Sequence, residues 1–353
     1  MDTTVDDLLI KAAEMKASDL HLTVGVPPKV RVFGDLKSLN LPKLMPEDVK
    51  ALACSILPAN LKQKFEEYGE IDFSYSIPRI GRYRANIYHQ RGSYAVTIRL
   101  VGETIPSPEK LGIPESVTEL IHKKRGLVLV TGPTGSGKST TLASLIDLIN
   151  QQYEYNIITL EDPVEYLHPH RSSIVNQREI GTDTQSYSNA LRAALREDPD
   201  VILVGEMRDL DTISTAITAA ETGHLVFSTL HTIGAASTID RVIDVFPPYQ
   251  QAQIRSQLSL VIEGVVSQQL IPTADGKGRK AAFEVMLATP AIRNLIREAK
   301  THQIAGILQT SRKQGMQTMD DAIYNLYVNR YIAKDEALGY AQDPGALNMR
   351  LFS

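Results

Sequence analysis

A short stretch near the middle of the chain leaves it few architectures. Gly126–Thr131 (GLVLVT) is an apolar, strand-sized run, and residues 138–150 have the apolar spacing of a helix. Between them lies Gly132-Pro133-Thr134-Gly135-Ser136-Gly137-Lys138-Ser139-Thr140, which fits G-x-x-x-x-G-K-[ST], the phosphate-binding loop. The glycines let the main chain curl until its N–H groups converge on phosphate oxygens, and the helix that follows adds its positive end. In that geometry Lys138 reaches the β- and γ-phosphates and the Ser139 hydroxyl holds Mg²⁺. The competing reading is a chance glycine-rich turn, and the order strand, loop, helix argues against it.

The residues downstream repeat the alternation. Asn156–Leu160, Val201–Val204 and Leu225–Thr229 read as buried strands, Ser186–Arg196 and Leu210–Ala220 as helices, and the tail from about residue 289 as mostly helical. Such alternation predicts a mainly parallel sheet covered on both faces. In sheets of that kind ligands sit beyond the carboxyl ends of the strands, so charged residues there become candidates. Glu206 follows Asp200-Val201-Ile202-Leu203-Val204-Gly205. Glu161, Asp162 and Glu165 follow the strand ending at Leu160. Hydrolysis needs one acid to orient water and another to support the metal. Glu165 and Glu206 are expected to share these tasks, in an order the sequence leaves open. For Glu161 and Asp162 the competing reading is a polar loop with a helix cap at Asp162. His224 and His231 flank the strand Leu225–Leu230; seven positions apart, they fall on opposite faces and make no two-ligand metal site. His231 stands at the carboxyl end, where a γ-phosphate sensor belongs. His224 stands at the other end, where a structural role is the simpler reading.

Residues 1–100 read differently. A helix over 5–17 precedes alternating stretches at Leu20–Val24, Val30–Phe33, Ile71–Ile77, Tyr83–Tyr88 and Ser93–Leu100, with a second helix at Met45–Ile56. This is a small α+β domain on an antiparallel sheet. Residues 101–111, with Gly102, Pro106 and Pro108, form the expected linker, and residues 112–353 the second domain. Arg79, Arg82, Arg84, Arg91 and Arg99 gather near the first domain's strands, as a source of the extra cation that phosphoryl transfer uses; for Arg79 and Arg91 a solvated strand face is the simpler reading.

Composition narrows the function classes. Cys54 is the single cysteine, which excludes an internal disulfide framework and a multi-cysteine zinc site. The formal net charge of −4 and the absence of Trp argue against a nucleic-acid translocase, which needs a basic channel. The acidic start MDTTVDDLL is no secretory leader, and no run approaches the ~20 apolar residues of a membrane span. The expectation is a cytoplasmic protein that meets a membrane only through a partner.

In their order these motifs resemble the secretion-superfamily ATPases, over essentially the whole chain. The matching elements are GPTGSGKST (Gly132–Thr140), TLEDPVEY (Thr159–Tyr166), DPDVILVGEMRD (Asp198–Asp209), TGHLVFSTLHT (Thr222–Thr232) and the stretch Ala17–Gly34. AIRNLIRE (Ala291–Glu298) resembles the signature of the branch that retracts type IV pili. Physics alone makes it an ordinary surface helix, capped by Thr289, with Ala291, Ile292, Leu295, Ile296 and Ala299 as its apolar stripe. The resemblance implies an N-terminal PAS-like domain joined to a RecA-like P-loop ATPase domain. It implies ATP and Mg²⁺ as cofactors, and a ring-shaped homohexamer at the cytoplasmic face of the inner membrane. There the ring works on a pilus platform protein to drive retraction and twitching motility. It assigns Glu165, Glu206, His224 and His231 to catalysis, and Arg84 and Arg99 to a neighbour's phosphates, with Arg82 and Arg241 as substitutes. An accessory retraction ATPase, or a secretion or assembly ATPase of the same superfamily, is the alternative.

Overall fold

The alternating stretches of the first hundred residues pair into a six-stranded sheet in the computed structural model, which describes residues 3–32, 34–77, 80–100 and 104–352. Arg79, Phe33 and residues 101–103 of the expected linker lie outside the described residues. The strands are β1 (Asp19–Leu22), β2 (Lys29–Val32), β3 (Asp35–Ser38), β4 (Glu70–Ile77), β5 (Gly81–Gln90) and β6 (Ser93–Leu100), in the order β3-β2-β1-β6-β5-β4 with antiparallel neighbours throughout. Alternation sends Leu20, Val30, Phe73, Ile87 and Ile98 to one face, where they pack with Leu8, Leu9 and Val49. Leu8 and Leu9 come from the helix Val5–Glu14, which starts at a reciprocal cap: Thr4 Oγ1 accepts the Asp7 N–H at 3.2 Å and Asp7 Oδ2 accepts the Thr4 N–H at 3.0 Å. Leu20–Val24 is expected as a strand, but pairing runs from Asp19 to Leu22, so Asp19 enters the sheet. A helix at Ala59–Tyr68 adds Phe65 to the core; its other apolar positions are too few to mark it in the sequence.

The second sheet has seven strands: β7 (Gly126–Thr131), β8 (Asn156–Glu161), β9 (Ile174–Glu179), β10 (Val201–Val204), β11 (Leu225–Leu230), β12 (Ile262–Pro272) and β13 (Arg279–Leu287). Their order is β13-β12-β7-β11-β10-β8-β9, parallel except for the β12–β13 hairpin. β7, β10 and β11 are buried along their whole length, as strands covered on both faces must be. One apolar layer holds Leu127, Leu129, Ile202 and Val226, the other Val128, Val130, Leu203 and Phe227. The tail is helical as expected. In the helix Pro290–Arg297, Ile292, Leu295 and Ile296 are buried and Thr289 Oγ1 accepts the Ile292 N–H. The apolar stripe is narrower than expected: Ala291 is exposed, and Ala299 lies past the helix end, exposed and with φ +58°. Arg293 turns inward, donating to the Ser259 and Leu260 carbonyls at 3.0 and 2.8 Å and to Glu263 at 2.7 Å.

Packing divides the chain into two compact units. One comprises residues up to Thr104 together with Pro163–Leu167; the other comprises Ile105–Asp162 and the chain from His168 onward. Residues 108–111 of the expected linker form a short helix that belongs to the second unit.

Candidate active site

The phosphate loop is built against β12. Parallel pairing of β7 with β12 sets Thr131 opposite Ser267, so Gln268 lies beneath the loop that Thr131 leads into. Gly132 has φ +139°, and a Cβ there would collide with the Gln268 main-chain oxygen. Gly137 has φ +90°, and a Cβ there would fall 2.9 Å from Gln268 Nε2. Both positions therefore require glycine for backbone angle and for space alike. Gln268 Oε1 also accepts the Thr141 hydroxyl at 2.8 Å, which fastens the first turn of the helix Lys138–Gln152 to the strand. Among the described residues no side chain caps that helix, and its amino-terminal end faces the loop, where the helix dipole favours an anion. Ser136 Oγ is buried inside the loop without a hydrogen-bond partner among the described residues. Lys138 Nζ donates to the Gly132 and Pro133 carbonyls at 2.8 and 3.0 Å. Thr134, Gly135 and Ser139 are exposed. A cradle of curled main chain, an unsatisfied buried hydroxyl and a lysine folded along it suits a polyphosphate.

The neighbouring strands bring acids and a histidine to the same edge. β11 lies beside β7 and β10 beside β11, with Leu230 opposite Thr131 and Val204 opposite Ser228. Gly132, His231 and Glu206 therefore leave three adjacent strands at their carboxyl ends. Glu206 Oε1 is 2.9 Å from His231 Nε2, and Glu206 Oε2 is 2.7 Å from the Arg208 guanidinium. Burial opposes ionisation of Glu206, but Arg208 and His231 outweigh it and hold the carboxyl below the usual glutamate range. Tyr187 lies among Asp162, Glu206 and Glu161; burial first, and these acids next, push its hydroxyl well above the usual tyrosine value. Glu161 Oε1 accepts from Thr159 Oγ1 at 2.6 Å and Gln177 Nε2 at 3.1 Å. No helix begins at Asp162, so the cap considered for it is absent. His224 stands at the opposite end of β11, about 20 Å from His231 by strand rise, with Nδ1 3.0 Å from the Ala219 carbonyl. The second unit brings Glu206 and His231 together and leaves His224 apart.

The first unit holds the remaining candidates. Register sets Arg31, Asp19, Arg99 and Arg84 side by side across β2, β1, β6 and β5, on the face away from the apolar core. Asp19, 5% exposed, accepts from Arg99 Nε at 2.9 Å and Ser18 Oγ at 2.8 Å, with Arg31 Nε at 4.0 Å. Burial opposes its ionisation, and the Ser18 and Arg99 hydrogen bonds prevail, lowering its pKa. Arg84 Nε is 4.0 Å from Asp72. Arg84 and Arg99 line a cleft of about 270 Å³ together with Ser74, Tyr83 and Glu165, the last from the segment Pro163–Leu167. Asp19 and Arg208 lie inside the matching stretches Ala17–Gly34 and Asp198–Asp209 without a role being read for them there, and Tyr187 and Gln268 lie outside every motif. Only the position of Arg208 two residues after Glu206 gives it a signal in sequence; the others depend on pairings made at long range.

The Type II/IV secretion system protein family matches residues 96–337. The chain is 49% identical over 344 residues to the type IV pilus retractation ATPase PilT of Pseudomonas aeruginosa, covering 98% of this chain and 99% of that protein. It is 40% identical over 346 residues to the type IV pilus ATPase PilU of the same organism, covering 98% and 91%. Among solved structures, the crystal structure of the pilus retraction motor PilT with bound ADP matches at a TM-score of 0.93 and 51% identity, covering 99% of this chain and all of that one. With a family match over most of its length and a relative of this identity along nearly all of it, the chain belongs to the Type II/IV secretion system protein family.

Proposed function

We propose that this protein is an ATP-hydrolysing motor that powers type IV pilus retraction, and hence twitching motility. The observation that carries the reading is the phosphate loop fixed on β12 beside the Glu206–His231 pair; the relatives, a retraction ATPase and a motor crystallised with ADP, supply the cargo. In this reading the loop N–H groups and Lys138 bind the phosphates, and Ser139 would hold Mg²⁺ at a site shared with the nucleotide. The exposed Ser139 hydroxyl suits such a shared site, since Mg²⁺ accepts few protein ligands beside phosphate and water. When bound, the metal neutralises charge that develops on the transferred phosphoryl group.

Glu206, held ionised by Arg208 and His231, accepts a hydrogen bond from the attacking water and orients it; His231 reports the γ-phosphate. Glu165, Arg84 and Arg99 act as a second group, the arginines on nucleotide held by a neighbouring copy of a homohexamer. His224 supports the ring from the far end of β11. The first unit is read as PAS-like, with residues 101–111 as its linker, and the unit bearing the phosphate loop as RecA-like. Force comes from differential affinity for ATP and ADP between two arrangements of the ring. The ring pushes on an inner-membrane platform protein from the cytoplasmic side. The test is paired. Lys138→Ala is expected to abolish phosphate release in vitro and to fail to restore twitching to a retraction-deficient strain. Wild-type release by that variant overturns the ATPase mechanism; normal release by the wild type without restored twitching overturns the cargo.

A further inference from the structure

A buried carboxylate outside the hydrolytic edge joins three separate segments of the second unit. Glu284 lies on β13 and is 5% exposed. Its Oε1 accepts the Ala235 N–H at 2.7 Å; its Oε2 accepts the Met319 N–H and the Gln342 side-chain amide, each at 3.3 Å. Ala235 opens the helix Ala235–Asp244 and Met319 opens the helix Met319–Val328. One side chain therefore meets two helix starts, whose unpaired N–H groups favour a negative partner. Burial raises the Glu284 pKa, and these N–H bonds offset only part of that rise.

The segment held at Ala235 is the short loop that begins at His231. Its other contacts are equally fixed. The Gly234 N–H donates to Ser267 Oγ at 3.0 Å, and Thr238 Oγ1 donates to the Gly234 carbonyl at 2.7 Å and is 2.7 Å from Thr232 Oγ1. A Cβ at Gly234 would lie 3.5 Å from Gln342 Nε2 and 3.6 Å from Glu284 Oε1, so the loop passes close to that pair. On the far side, Gln342 is anchored by its own N–H to Asp320 Oδ1 at 2.7 Å, and Asp320 belongs to the helix that Met319 opens. The loop is thus clasped between β12 and a carboxylate that also meets Met319, the start of a C-terminal helix, and Gln342, in the connection between the helices Lys334–Tyr340 and Pro344–Phe352.

We propose that Glu284 is a positioning residue for His231: it ties the His231–Ala235 loop to the C-terminal helices, so that their placement sets the His231–Glu206 pair. This rests on reading His231 and Glu206 as working parts of the hydrolytic site. A buried, fully bonded network has few intermediate arrangements, so a displacement of the helix at Met319 reaches His231 through Glu284 and not through solvent.

The test is steady-state ATP turnover of the full chain carrying Glu284→Ala, Glu284→Gln, Gln342→Ala, His231→Ala and the double variant Glu284→Ala/His231→Ala. Glu284→Ala is expected to lower kcat about tenfold with KM for ATP within about twofold. Glu284→Gln, which keeps an oxygen for the Ala235 N–H, recovers most of the rate, and Gln342→Ala shows a smaller loss in the same direction. In the His231→Ala background the Glu284→Ala penalty shrinks below about twofold, because residues acting as a unit are not additive. A full penalty persisting in that background, or wild-type kcat for Glu284→Ala, overturns the tie alone. Wild-type turnover of His231→Ala overturns the reading of the site and the tie with it. If Glu284→Ala does not fold, Gln342→Ala alone and combined with His231→Ala carries the same comparison.

Discussion

At the edge of the seven-stranded sheet, the Glu206 side chain is 16% exposed and pairs with the Arg208 guanidinium and the His231 imidazole. Across the six-stranded sheet, the Arg99 side chain is 68% exposed and answers one anion, the buried Asp19. Charge is handled in opposite ways in the two units. Around Glu206 the reactive group is enclosed and its partners are already in place, an arrangement that lowers the reorganisation needed during reaction. In the first unit it is the counter-ion that is enclosed, while the guanidinium is held at its base and presented outward. The first arrangement suits a group that works on what the same unit binds; the second suits a cation offered to something arriving from outside.

The contrast can be broken at either end. Glu206→Ala removes the enclosed group and is expected to lower kcat by a hundredfold or more, on the order of what a positioned acid or base supplies; single-turnover hydrolysis measures it. A loss below about tenfold would move the water-orienting role to Glu165. Arg99→Ala is next, with a loss of about a hundredfold, since an arginine acting on a transferring phosphate contributes at least that much. Mixing Lys138→Ala chains with Arg99→Ala chains sharpens the point. If the arginine serves a neighbouring copy, the mixture regains part of the turnover that each lacks; if it serves its own chain, the mixture stays inactive.

Asp19→Asn probes the anchor alone. It keeps the shape and removes the charge, so Arg99 remains but is no longer aimed, and a drop of about threefold to tenfold in kcat is expected. Thermal melts check the same variant independently. A carboxyl with a lowered native pKa adds stability above the ordinary aspartate value, 3.8, and loses it as pH falls through the native value. The melting difference between wild type and Asp19→Asn is therefore largest at neutral pH and closes in acid. The smallest effect belongs to Gln268→Leu. It frees the Thr141 hydroxyl and leaves the main-chain floor under Gly132 intact, so KM for ATP rises about threefold with little change in kcat.

What the sequence disclosed depended on distance along the chain. The phosphate loop, Glu206 and His231 each sit within a few residues of an apolar strand, so strand, turn and chemistry can be read together. Gln268 and Asp19 could not be read that way. Gln268 matters because β12 pairs with β7, more than a hundred residues away, and its strand was masked by Ser267-Gln268-Gln269, polar residues that are nonetheless buried. β9 escaped for the converse reason: an edge strand reading IVNQRE buries only Val175 and Glu179 and shows no apolar run. The antiparallel hairpin at the other edge was equally silent, since alternation with helices speaks only for parallel neighbours. Arg84 and Arg99 are legible only as members of an arginine-rich set of strands; their common row with Asp19 exists only once β1, β6 and β5 are in register.

The helix Pro290–Arg297 carries two messages in one stretch of letters. Ile292, Leu295 and Ile296 are interior, and the Arg293 guanidinium donates to the Ser259 and Leu260 carbonyls in the last turn of the helix Pro248–Val261 and to Glu263. Glu298, Lys300, Asn294 and Arg297 bond among themselves at the surface. A mutational scan of this segment would mix two kinds of defect under one phenotype. A motility-null allele at Arg293 would report a collapsed scaffold, whereas the same phenotype at Arg297, whose guanidinium bonds to Asn294 on the exposed face, would report a defect at the surface, and protein abundance in the cell is what separates them.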